Sequence, residues 1–198
     1  MAATPSSRRI LVVQGHPDGD PRRLCRALAD AYAEGAAAAG HAVERIDLAA
    51  MEIPMVRDQE DFRHGSPPPA VLAAQEAIRA ADHVVLLFPL WLGTMPALVK
   101  AFLEQTMRPG FAFGDGGTSL RGLLKGRSAR VVVTMGMPAF VFRWWFMAHG
   151  VLGLERNILK FVGFGPVRHT LLGAVESVRP AVREGWLARM RRLGTDAR

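Results

Sequence analysis

Short runs of β-branched and aliphatic residues alternate along this chain with segments whose apolar residues recur at helical spacing. Runs at Arg9–Gln14, Ala42–Asp47, His83–Phe88, Ala129–Met135 and Lys160–Val167 read as strands. They are continuous rather than alternating in and out, as strands of a parallel sheet covered on both faces must be. Between them Leu24, Leu28, Ala31 and Tyr32 share one helical face, as do Leu98, Val99, Phe102 and Leu103, and Val178, Val182, Trp186 and Met190. An early βαβαβ order followed by further α/β units predicts an α/β fold: a doubly wound five-stranded parallel sheet with helices on both faces. Ser66-Pro67-Pro68-Pro69 marks a loop before a helix over Ala70–Ala80, and Gly110 to Gly117 reads as a surface loop or small hairpin. There is no internal repeat and no long linker, so residues 1–198 read as a single domain with residues 1–8 frayed.

Composition narrows the function. Hydrophobic residues make up 49% and charged residues 22% of the chain, the mixture of a soluble globular protein. The longest apolar stretch, Val84 to Leu92, contains Pro89 and is too short to span a bilayer, and Ile10 to Val13 is too brief for a signal peptide. The expected setting is cytoplasmic, with no stable membrane insertion. A single cysteine, Cys25, excludes an intramolecular disulfide and a CxxC site, so redox chemistry would fall to a bound cofactor. The formal charge is +7, but the arginines are dispersed, and their concentration from Arg179 to Arg192 reads as a solvated helical face. No nucleic acid is expected; a basic surface also attracts phosphorylated ligands or an acidic partner. The histidines make no metal-ligand spacing, and both HExxH and GxSxG are absent, so no metal site or hydrolase is expected.

In open α/β sheets ligands bind beyond the carboxyl ends of the strands, where strand order reverses. Three loops are thereby selected. Gly15-His16-Pro17-Asp18-Gly19-Asp20-Pro21-Arg22-Arg23 leads into the first helix, and His16, Arg22 and Arg23 could join its start in holding an anion. It is equally readable as a turn in which Asp18 or Asp20 caps the helix. Pro89-Leu90-Trp91-Leu92-Gly93-Thr94-Met95-Pro96 sets a tryptophan between prolines after a buried strand, a surface suited to stacking a planar ring, unless Trp91 packs into the core. Thr134-Met135-Gly136-Met137-Pro138 again ends a strand in a hydroxyl, a glycine and a proline. It is followed by Phe140-Val141-Phe142-Arg143-Trp144-Trp145-Phe146-Met147 and His149, an aromatic group that either lines a pocket or forms a subunit interface.

These motifs resemble the NAD(P)H:quinone oxidoreductases and related NAD(P)H-dependent oxidoreductases of the flavodoxin-2 type. The likeness runs from about Arg9 to Arg192. It rests on Gly15-His16-Pro17, on Ala80-Ala81-Asp82-His83-Val84-Val85, on Pro109-Gly110-Phe111-Ala112-Phe113, and above all on the stretch from Phe88 through Trp91, Gly93 and Pro96 to Phe102. The resemblance implies a flavodoxin-like fold, tightly bound FAD or FMN, and a homodimer with interfacial active sites. It further implies ping-pong two-electron transfer from NAD(P)H to a quinone or similar small-molecule electron acceptor.

By position, His16, Arg22 and Arg23 would hold the flavin phosphate. Pro89, Leu90, Trp91, Leu92, Gly93 and Thr94 would line one side of the ring, and Thr134, Met135, Gly136 and Met137 its pyrimidine edge. Trp91 and Phe142, with an aromatic from the partner subunit, would sandwich nicotinamide or acceptor, and His149 would deliver a proton. The family's tyrosine over the flavin appears here as Phe142, which cannot donate a hydrogen bond. Two other functions share this sheet: a flavodoxin-type electron carrier, and a flavoprotein serving as ancillary regulatory subunit of a membrane transporter.

Overall fold

A computed structural model describes residues 7–114 and 121–198. Its sheet runs β2-β1-β3-β4-β5, all parallel, with β1 at Arg9–Gln14, β2 at Ala42–Asp47, β3 at His83–Pro89, β4 at Ser128–Thr134 and β5 at Val167–Leu172. This is the flavodoxin-like order, with its switch point between β1 and β3. The three inner strands are buried almost end to end, whereas edge strand β2 has no buried residue and β5 is buried only at Thr170 and Leu172.

Each face of the sheet carries its own apolar cluster. On one side α1 (Leu24–Ala38) and α7 (Pro180–Thr195) cover Ile10, Val12, Val85, Leu87, Val132 and Leu172. On the other, α3 (Pro69–Ala80) and α4 (Ala97–Thr106) cover Leu11, Val13, Leu86, Phe88, Val131 and Val133. Short helices α2 (Gln59–His64), α5 (Ala139–Trp144) and α6 (His149–Gly153) lie in the connections, and α6 runs into a π-helical stretch, Leu154–Lys160. No helix among the described residues is long and apolar enough to cross a membrane.

Two expectations are corrected. The predicted strand at Lys160–Val167 does not exist; β5 begins where it was to end. Val162 and Phe164 are buried, but in a turn in which Phe164 N–H bonds back to the Leu159 carbonyl (2.9 Å) and Gly163 takes φ +112°. The true strand, Val-Arg-His-Thr-Leu-Leu, is polar at its start because an edge strand needs burial only along part of its surface. Below it, buried Glu155 of the π-helical run meets His169 Nδ1 at 2.7 Å. Arg8, expected among the frayed residues, is held: its N–H donates to His41 Nδ1 (3.2 Å) and its carbonyl accepts from Ala42 N–H (2.9 Å). Residues 1–6, and 115–117 of the predicted Gly110–Gly117 loop, lie outside the described residues.

Glycines let α1 and α7 cross with their backbones close together. A methyl group on Gly35 would stand 2.0 Å from the Arg191 carbonyl oxygen, and one on Gly194 would stand 2.1 Å from that of Tyr32. Gly35→Ala gains about 1 kcal/mol of helix propensity. It loses about 1–3 kcal/mol because backbone, not a pliable side chain, must move. Net destabilisation is expected; urea unfolding checks it, and a midpoint at or above wild type would contradict the crossing.

Candidate functional site

The loops after β1, β3, β4 and β5 converge on one cleft of about 620 Å³ at the carboxyl ends of the strands. Its first wall is the loop from Gly15 to Arg23. Here side chains take up successive backbone N–H groups: Gln14 Oε1 accepts from His16 (2.7 Å), His16 Nδ1 from Asp18 (3.0 Å), Asp18 Oδ1 from Asp20 (2.9 Å) and Asp20 Oδ1 from Arg22 (2.9 Å). Neither aspartate caps α1, whose N-cap is Arg23 without a side-chain bond. Instead each aspartate holds an arginine: Arg22 Nη2 donates to Asp20 (2.7 Å) and Arg23 Nε to Asp18 (2.7 Å). Asp18 is held below its usual range, first by the Asp20 N–H and then by Arg23; Asp20 is lowered by the Arg22 side chain and then by its N–H.

The start of α1 therefore faces the cleft without an occupying side chain, and the amides of Leu24 and Cys25 open a helix whose first N–H groups have no intrahelical partner. His16 sits beside them. Its Nδ1 is an acceptor, which leaves the proton on Nε2, and burial followed by Arg23 lowers its pKa. It is thus a neutral donor, packed edge-on to Trp91 with ring centroids 6.1 Å apart.

The second wall follows β3. Leu90 N–H donates to the Thr134 carbonyl (2.7 Å), which carries the β3–β4 pairing past the strand ends. Trp91 and Thr94 then exchange N–H···O bonds of 2.9 and 3.0 Å around Leu92 (φ +47°) and Gly93 (φ +80°). Two left-handed central residues define a type I′ turn; Gly93 takes that conformation freely, while Leu92 adopts it under strain with its side chain wholly in solvent. The turn holds the half-exposed Trp91 ring at the cleft margin.

The floor is Thr134, Met135 and Gly136, with Cys25 beneath. Cys25 Sγ lies 3.2 Å from Thr134 Oγ1, and burial pushes the thiol up to about 11, so it stays protonated at neutral pH. The far wall comes from the segment after β5: Val175, Glu176 and Arg183, the last donating to the Val175 carbonyl (2.7 Å).

Of the residues singled out from sequence, His16, Arg22, Arg23, Pro89, Leu90, Trp91, Thr134, Met135 and Gly136 line this cleft together. Leu92, Gly93 and Thr94 shape the turn beside it, and Met137 packs against the core. Phe142 is misplaced by the sequence reading: at 1% exposure it is a core residue, packed beneath the exposed Phe140, Trp144 and Trp145 of the same segment, and cannot lie over a ligand. His149 is exposed and outside the lining of its own chain's cleft. It starts α6, where a methyl group on Gly150 would stand 2.1 Å from the Gly93 carbonyl oxygen, so the helix presses on the Trp91–Thr94 turn. Glu176 and Arg183 were missed. The signal existed: with β5 ending at Leu172, the crevice rule selects the next loop as well.

No group of three potential metal ligands occurs among the described residues. Comparison with known proteins gives a consistent set of relatives. An FMN-dependent NADH:quinone oxidoreductase of Ruegeria pomeroyi is 28% identical over 72% of this chain and 84% of its own. The NAD(P)H dehydrogenase (quinone) 1 of Rattus norvegicus is 25% identical over 92% of this chain and 76% of its own. The solved NAD(P)H:quinone oxidoreductase from Methanothermobacter marburgensis superimposes with a TM-score of 0.80 at 26% identity, covering 96% of this chain and 97% of that one. The sequence model of the Flavodoxin_2 family, described as a flavodoxin-like fold, matches residues 8–193. That span takes in the whole sheet and all four loops of the cleft, and the chain belongs to this family.

Proposed function

We propose that the protein is a flavin-dependent NAD(P)H oxidoreductase acting on a quinone or a similar small electron acceptor. The observation that carries this reading is the meeting of an open helix start, paired arginines and a tryptophan wall in one cleft at the switch point of the sheet. The cleft volume falls within the roughly 300–1,000 Å³ of small-molecule sites. Three arginines against two carboxylates in its lining suit an anionic group. The donors therefore fit the phosphate of FMN or FAD, and the rest of the lining fits a planar ring.

When bound, a flavin supplies two-electron hydride chemistry. The chain supplies position and field. The amides of Leu24 and Cys25, with Arg22 and Arg23, hold the phosphate; His16 adds a neutral donor from Nε2. Trp91 provides the apolar wall along which nicotinamide and acceptor bind in turn, and one shared cleft makes the kinetics ping-pong. Main-chain N–H groups around Gly136, where a side chain would meet nothing nearer than Glu176 Oε1 at 3.9 Å, would hold the polar edge of the ring.

The exposed Phe140, Trp144, Trp145, Phe146 and Met147 form an apolar surface beside the cleft, and a second copy of the chain covers it. His149 then delivers a proton across that interface, while Phe142 supports the segment from below. The enzyme is cytoplasmic.

Three outcomes follow. Under anaerobic conditions NADH or NADPH alone bleaches the flavin absorbance of the purified protein; reduction only in the presence of a partner reductase would instead make it an electron carrier. Arg23→Gln removes one charged donor and frees Asp18 beside the phosphate, so flavin affinity falls about tenfold or more by fluorescence titration; unchanged affinity contradicts the phosphate site. His149→Gln lowers turnover at unchanged flavin content, and unchanged turnover at every pH removes His149 from the mechanism.

A further inference from the structure

The opposite end of the sheet carries a different arrangement of charge. Even-numbered positions of β1, β4 and β5 and odd-numbered positions of β3 face α1 and α7, as the cluster of Ile10, Val85, Val132 and Leu172 establishes. Followed back to the strand starts, the same face presents Arg8, His83, Ser128, Arg130, Arg168 and Thr170. Where an apolar core would continue, there is a polar layer.

Arg130 and Arg168 are register partners on β4 and β5, so two guanidinium side chains leave the same face from adjacent strands. Like charges placed so are destabilising. Arg130 is moreover buried, at 5% exposure. Its Nη1 donates to Thr170 Oγ1 (2.8 Å), while its Nε is buried without a partner. Burial lowers its pKa, and Arg168, Arg189 and Arg198 lower it further; Tyr32 alone acts in the other direction, and burial raises the Tyr32 pKa, leaving a neutral phenol. His83 is pushed down to about 3 by burial and then by Arg130, Arg8 and Arg168, so it too is neutral. Its Nδ1 meets Ser128 Oγ at 2.7 Å, and its Nε2 is buried without a partner.

A cavity of about 620 Å³ opens on this layer, lined among others by Arg8, Asp82, Ser128, Arg168, Asp196 and Arg198. Both of its aspartates already have partners, one of them within the lining itself. Asp82 accepts from the Arg9 N–H (2.8 Å), and Asp196 pairs with Arg198 (2.7 Å). A buried cation without a counter-charge costs several kcal/mol. An anion seated in the cavity supplies a counter-charge at Arg168, the register partner of Arg130.

We propose that this cavity is a second ligand site, which takes a phosphate group between Arg8 and Arg168, the latter the register partner of the buried Arg130. A site of this volume has room for a free oxyanion or for a phosphoester with its organic body. At about 3.3 Å per strand residue the site lies roughly 20 Å from the cleft, at the other ends of the same strands. It is independent of what the cleft binds.

The test is thermal unfolding of flavin-supplemented protein with inorganic phosphate, with ADP, or with chloride at matched ionic strength. Ligand at about five times its Kd raises Tm by about 2–4 °C. Arg168→Gln, at an exposed position, abolishes the rise and does not lower Tm without ligand; Arg23→Gln in the cleft keeps the rise. A larger effect of ADP identifies a phosphoester as the ligand, and equal effects identify free oxyanion; either supports the site. No rise above chloride with either ligand, or a rise that Arg168→Gln retains, overturns it.

Discussion

Pairing of β1 with β3 is the constraint on which the functional geometry depends. The register from Ile10↔His83 to Gln14↔Leu87, continued by Pro89↔Thr134 between β3 and β4, brings three strand ends to the same edge of the sheet. From there the chain departs in opposite directions, through α1 toward β2 and through α4 toward β4, and the space between the diverging loops is the cleft. A slip of one residue would turn every inner side chain to the other face. The near-continuous apolar strands keep both faces buried, and the two unlike clusters, one beneath α1 and α7 and the other beneath α3 and α4, fix which residue faces which way.

Charge is handled differently at the two ends of that sheet. In the cleft each loop arginine is held by its own aspartate, so Arg22 and Arg23 are placed before any ligand arrives. Such preorganisation lowers the ordering cost of binding. At the strand starts Arg130 donates to a hydroxyl and has other arginines around it. The first arrangement is a prepared site of paired charges; the second sets a buried guanidinium beside other arginines.

Much of this was legible in the amino-acid pattern. The runs that became β1, β3 and β4 are apolar over most of their length because both faces are covered, and α4 carries the apolar face that its periodicity marks. The fifth strand was not legible. Phe161-Val162-Gly163-Phe164 is the more apolar segment, but its buried residues pack as a turn, while the edge strand that follows needs few apolar residues. That displacement also hid Glu176 and Arg183. Phe142 was misread for a related reason: within a row of aromatics, sequence does not reveal which one turns inward, and the short helix α5 buries Phe142 and leaves its neighbours outside. Strain at Leu92 has no sequence signature at all, since type I′ turns ordinarily take Asn or Gly there.

The central claim is that a flavin sits in the cleft with its phosphate at the start of α1 and its ring against Trp91. A crystal structure of the protein grown with FMN or FAD tests it most directly. The account predicts phosphate density within hydrogen-bonding distance of the Leu24 and Cys25 amides and ring density between Trp91 and Gly136. Flavin bound at full occupancy anywhere else on the chain would contradict it.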